Sequence, residues 1–291
     1  MTEKEATVQQ AKQSVDIAQA KAAAARYATD VMKLLEVAQK EGLNNNFGAI
    51  TGYYQQIIAL NPDSWVAELF SVLINAFPVN TGDVANACNA VESYIKKALD
   101  TIDTQPDFEK KWDVTILSGA AVQFSDVASC MAINTHLAIP VSQMSAHNGA
   151  LKAQMVSALN ILITCASQIM SRYGDNDEIA SCVENPARRA VEFYKRQSFV
   201  TIALSAETNA TLLNWIGRFN PTFVEDYKKK QNRSMTTGNV FLMILGAIFL
   251  AIGLMTEGTF AKWFCIPMAA FCLLWGLFRI IVQVANKKLN G

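Results

Sequence analysis

The chain has 291 residues, 51% of them apolar, with 25 basic and 25 acidic side chains. That balance lacks the basic excess of a nucleic-acid binder, and the apolar share is enough for a real core. The charge is nevertheless split: residues 1–236 carry 21 bases and 24 acids, a net −3, leaving 4 bases and 1 acid, a net +3, for the rest.

The first residues, Met1 to Ala6, are polar, which argues against a secretory signal. From Thr2 to Lys40 no glycine or proline intervenes, and Val8, Ala11, Val15, Ala18, Ala22 and Ala25 recur at steps of three and four. The stripe continues through Ala28, Val31, Leu35 and Ala38, predicting a helix over residues 1–41 that lies on its own domain or pairs as a coiled coil. Gly42 is placed as its C-cap. Helices are then predicted over Phe47 to Leu60 and Trp65 to Phe77, separated by Asn61 as N-cap and Pro62 at the first helical position.

Two stretches here have a familiar form. Tyr54-Gln-Gln-Ile-Ile-Ala-Leu-Asn-Pro-Asp-Ser-Trp-Val-Ala67 resembles the junction between consecutive tetratricopeptide-type repeats, and Tyr94 to Phe108 is a looser echo of it. Over about residues 47–120 the resemblance implies stacked helical hairpins in a solenoid and binding to other proteins. It implies no ligand site.

Further helices are expected over Asp83 to Ile102, Pro106 to Leu137 and Val141 to Tyr173, with breaks at Pro140 and at the turn Gly174 to Asp177. Asn185 before Pro186 and Asn220 before Pro221 repeat the cap-and-proline device. No stretch alternates like a strand, so the part before the membrane segments is read as about seven helices.

Catalytic patterns are missing. His136 and His147 have no ligand three or four residues away, which argues against a metal face. Cys130 and His136, six apart, fall on different helix faces, so no thiol–imidazole pair is expected. Asp175, Asp177 and Glu178 lack the glycine and terminal glutamate of a calcium loop and read as a helix N-terminus. The six cysteines are scattered, consistent with buried thiols and no disulfide. No catalytic, cofactor-binding or metal-binding residue is assigned, and the chain is read as a non-enzyme. Arg188, Arg189, Lys195 and Arg196 share a helical face and form a candidate patch for an acidic partner or lipid headgroups, over Val191, Phe193, Tyr194 and Phe199.

The C-terminal end locates the protein. Arg233 is followed by 23 uncharged residues, Ser234 to Thr256, and a second apolar run begins at Trp263. At about 1.5 Å per residue each run matches a bilayer core of about 30 Å, so a transmembrane hairpin is expected with spans near 237–256 and 263–283. Gly246 with Gly253 and Ala269 with Gly276 are each seven apart and are expected to form the seam, Gly246 beside Gly276 and Gly253 beside Ala269. Lys228, Lys229, Lys230 and Arg233 before the hairpin, and Arg279, Lys287 and Lys288 at its end, are read with Trp263 as interface anchors.

The expected organisation is all-α: an N-terminal helix (1–41), a cytoplasmic helical domain (42–226), a basic collar (227–235), the hairpin (236–286) and a cytoplasmic tail (287–291). Both termini are expected in the cytoplasm, at a bacterial inner membrane or a eukaryotic internal one. The expected role is a membrane-tethered scaffold for protein partners, with a homo-oligomeric channel gated by the helical domain as the alternative. Its surroundings would be the bilayer, protein partners and further copies of itself, without nucleic acid or cofactor.

Overall fold

A computed structural model describes residues 3–76, 84–193, 202, 204–255 and 263–277. Among them the only regular structure is helical. In chain order the helices are α1 (Glu3–Leu43), α2 (Phe47–Leu60), α3 (Trp65–Ala76), α4 (Val84–Asp103), α5 (Asp107–Leu137), α6 (Val141–Tyr173), α7 (Asp177–Ala180), α8 (Glu184–Phe193), α9 (Ala206–Phe219), α10 (Pro221–Met255) and α11 (Trp263–Leu277), with a 3-10 turn at Ser181–Val183. Two compact units divide the chain, Met1–Asn220 and Pro221–Gly291. The boundary falls at the Asn220–Pro221 step, and the collar lysines belong to the same helix as the first apolar run.

The N-terminal unit is built around α5. Residues Leu117 to Ser129 are buried without a break, because alanine, serine, glycine and valine on every side let neighbours approach from all directions. Helices α1, α4, α6 and α8 pack on it. Serial stacking of hairpins would join each helix chiefly to its sequence neighbours; here α1 meets α5, and α4 meets α6. The helices gather around α5, and the solenoid-like stacking that the resemblance at Tyr54 to Ala67 implies is not confirmed by these contacts.

Two described helices are long and apolar enough to cross a membrane, Asp107–Leu137 and Ser142–Tyr173. Their apolar windows are 89% and 44% buried within the protein, so the character of α5 is accounted for by its central position. In α4 the buried residues Val84, Cys88, Val91, Ile95, Leu99 and Ile102 recur at steps of three and four, the one-sided pattern of an outer helix.

Helix α1 runs parallel to α5. A Cβ built on Gly119 would stand 2.6 Å from Met32 Sδ, and one built on Gly42 would stand 2.6 Å from Val127 Cγ2. One turn further on, Asn134 Nδ2 donates to Asn45 Oδ1. Gly42 thus serves close approach within α1 rather than a C-cap; the left-handed residue of the turn is Asn45, at φ 65°. Ala28, Val31, Leu35 and Ala38 are fully buried, whereas Val15, Ile17, Ala18 and Ala22 are exposed. Of the predicted stripe, the described positions from Ala28 onward are covered, and Val15, Ala18 and Ala22 are not.

Capping differs from expectation at two further places. Asn61 ends α2, and the N-cap of α3 is Ser64, whose Oγ accepts from Ala67 N at 3.2 Å. Asn185 lies inside α8, which continues directly from the 3-10 turn. The acidic turn at Asp177 is a helix start as expected, with Asn176 Oδ1 accepting from Glu178 N and Ile179 N.

Candidate functional site

Two buried polar side chains of α5, Gln123 and Asp126, meet partners from α1, α2 and α8. Asp126, in the middle of α5, is almost fully buried and faces Arg189 of α8. Arg189 donates through Nε to Asp126 Oδ1 at 2.6 Å and through Nη2 to Oδ2, a forked pair that satisfies both carboxylate oxygens. Gln39 of α1 adds an amide donor to Oδ2. One turn back on α5, Gln123 Oε1 accepts from Tyr54 OH of α2, while Gln123 Nε2 has no partner. Burial pushes the Tyr54 phenol far above its ordinary range, so it stays protonated and keeps its donor for Gln123. The network borders a cleft of about 600 Å3 between α1, α5 and α8, with Met32, Lys33, Trp112 and Arg188 among its walls.

This geometry divides the predicted basic patch. Arg189 turns inward, with only 11% of its side chain exposed, because Asp126 would otherwise be an unpaired buried charge. Arg188 faces outward and approaches Glu184 at 4.0 Å. Lys195 and Arg196 lie outside the described residues. Val191 and Phe193 are buried beneath the helix, as their spacing implies.

None of the six cysteines takes part in a disulfide among the described residues. Burial pushes the Cys88 and Cys165 thiols up to about 12 and also raises that of Cys182, which disfavours the thiolate a nucleophile needs. His136 is buried and His147 exposed, and no group of three metal-ligating side chains occurs among the described residues.

In the C-terminal unit the hairpin residues are arranged by size. On α11 the buried positions are Cys265, Ala269, Cys272 and Gly276, at steps of four, three and four. Large apolar side chains face outward: Trp263 is 77% exposed, Leu274 68% and Phe271 60%, and Phe271 stacks on Trp275 at 6.0 Å. On α10, Gly246 is buried while Ile244 and Ile248 are more than half exposed. A Cβ on Gly246 would meet Leu273 Cγ at 2.9 Å and Cys272 Cβ at 3.2 Å. The small-residue contact is therefore Gly246 against Cys272 and Leu273, about one turn from the expected pairing with Gly276. Gly253 lies on α10. Of the anchor residues, Lys228, Lys229 and Lys230 are exposed on α10 and Arg233 lies on the same helix; Arg279, Lys287 and Lys288 are outside the described residues.

These features define an all-helical protein of two units, a bundle threaded by a small-residue helix and a C-terminal pair of apolar helices. No protein-family model matches the chain, and neither curated proteins nor solved structures gave a match.

Proposed function

We propose that the protein is a membrane-anchored helical scaffold, held by α10 and α11 and presenting its N-terminal unit to the cytoplasm. The observation that carries this reading is the inverted hairpin, with small residues inside and Trp263, Phe271 and Leu274 outside. Exposed apolar surface costs about 25 cal/mol per Å2 in water, and lipid removes that cost. Small residues at the contact suit helices whose association rests on close packing rather than on burial from water. Lys228, Lys229, Lys230 and Arg233 precede the first apolar run, and Lys287 and Lys288 follow the second, which supports cytoplasmic termini.

Support for the scaffold role comes from α1. At 41 residues it is about 60 Å long, and Val15, Ala18 and Ala22 form an uncovered apolar stripe ahead of the buried half. Such a face suits a partner helix.

Two measurements test the reading. After an alkaline carbonate wash the protein is expected in the membrane pellet; release into the supernatant overturns the anchor. The mass of the protein purified in maltoside is expected to be that of a monomer or dimer, and a discrete higher oligomer would overturn the scaffold in favour of a pore-forming assembly.

A further inference from the structure

A second cleft, of about 670 Å3, opens where the first turns of α5 meet α1 and the α2–α3 turn. Its charged wall is of one sign. Asp63, Glu109 and Asp113 line it, and no lysine, arginine or histidine does so among the described residues. On the neighbouring helices Lys97 pairs with Glu68, Lys110 with Asp107 at 2.7 Å and Lys111 with Glu178 at 3.1 Å, while Lys21 and Arg26 adjoin the lining residues Ala20 and Tyr27 in sequence without lining the cleft themselves.

The rest of the wall is aromatic. Tyr27, Trp65 and Trp112 all border the cleft. The Trp65 indole lies near enough to Asp113 to lower its pKa, and the Tyr27 hydroxyl lies 3.5 Å from Ser64 Oγ, so the polar ends of both rings point to groups of the wall. Trp112 already has a cation over one face, the Lys111 ammonium at 5.4 Å from the ring centre.

We propose that this cleft binds an organic cation, an ammonium or methylated ammonium group, seated among Tyr27, Trp65 and Trp112 with its charge against Asp113 and Glu109. Aromatic faces carry negative charge and carboxylates supply the rest, while the rings replace the water that a weakly hydrated ammonium gives up easily. A divalent metal fits less well, because no group of three ligating side chains stands close enough to hold one among the described residues. The volume falls within the range of about 300–1,000 Å3 usual for small-molecule sites, room for a chain bearing more than one amine. Asp113 shows the unmet demand: burial, with repulsion from Glu109, pushes its carboxyl up to about 6 despite the Trp65 donor. An entering cation would supply that missing counter-charge. The proposal does not depend on the membrane anchor.

The test is calorimetric titration of the full chain in maltoside, with constant sodium chloride, using tetramethylammonium and spermidine as probes. The neutral 3,3-dimethylbutan-1-ol serves as a shape control. Saturable binding of at least one cation is expected, with a change in tryptophan fluorescence and weaker binding of the alcohol. Asp113→Asn is expected to weaken the cation by at least about tenfold, and Glu109→Gln by a smaller factor of about two to five. Equal affinity for the alcohol, cation binding unchanged in both variants, or no saturation by roughly 10 mM would each overturn the proposal.

Discussion

Arg189 of α8 grips Asp126 of α5 through two guanidinium nitrogens, and Gln39 of α1 closes on the same carboxylate. Three helices far apart in the chain are thereby held in one register. Removing one member leaves its partner charged and buried, which costs about 3–5 kcal/mol, whereas replacing both with apolar side chains of similar size removes the desolvation problem altogether. Asp126→Leu and Arg189→Met should therefore each lower the thermal midpoint strongly. The double variant Asp126→Leu with Arg189→Met should be more stable than either single change. Thermal unfolding in maltoside followed by far-ultraviolet circular dichroism measures this, and additive losses would show that the pair does not act as a unit.

The two glycines between α1 and α5 make opposite predictions. An alanine Cβ at Gly42 meets the stiff, branched Val127, while one at Gly119 meets the far end of Met32, which has other rotamers open to it. Alanine is favoured over glycine inside a helix by about 1 kcal/mol. At Gly119 that gain should offset the repacking, leaving Gly119→Ala within about 0.5 kcal/mol of the parent. At Gly42 the helices must part, and Gly42→Ala should lose about 1–3 kcal/mol. Comparing the two midpoints checks both signs.

Helix ends were largely legible from the sequence because they rest on local chemistry: Pro106 and Pro140 stand just before α5 and α6, and Asn176 caps α7. The core half of α1 was legible too, since Ala28, Val31, Leu35 and Ala38 repeat at the helical period. The centrality of α5 was hidden, because a helix buried on every side has no periodicity to read. Arg189 looked like its neighbour Arg188; what separates them is Asp126, 63 residues away, and only the tertiary fold joins them. The acidic and aromatic cleft brings together residues of α1, the α2–α3 turn and α5, so no linear motif announces it.

Between α10 and α11, Gly246 offers a direct chemical test of the contact. A Cβ built there lies 3.2 Å from Cys272 Cβ, close to the separation of about 3.5–4.5 Å across a disulfide. Gly246→Cys should therefore form an intrachain bridge with Cys272 under mild oxidation, seen as a loss of about 2 Da in the intact mass. Ile248→Cys, on the outward side of α10, should remain reduced under the same treatment. Bridging at position 248 and not at 246 would show that a different face of α10 meets α11.

Asp113 should set a pH dependence of an unusual sign for a carboxylate. Its carboxyl is held at about 6 by burial first and by Glu109 second, against an ordinary 3.8, so between these values the folded protein binds more protons than the unfolded chain. Stability therefore falls as the pH rises from about 4 to about 6 and is level above that. The groups that share the cleft, Asp63, Glu109 and Tyr27, bring no positive charge to oppose the trend. The interval between the two values sets a ceiling of about 3 kcal/mol, and the part of Asp113 that meets water reduces the expected loss to about 1–2 kcal/mol. Asp113→Asn keeps an acceptor for the Trp65 indole and removes the charge. In thermal unfolding from pH 4 to 7.5 the variant should be more stable than the parent at neutral pH, with the gap closing towards pH 4. Parallel curves would mean that Asp113 is already neutralised by a group outside the cleft wall.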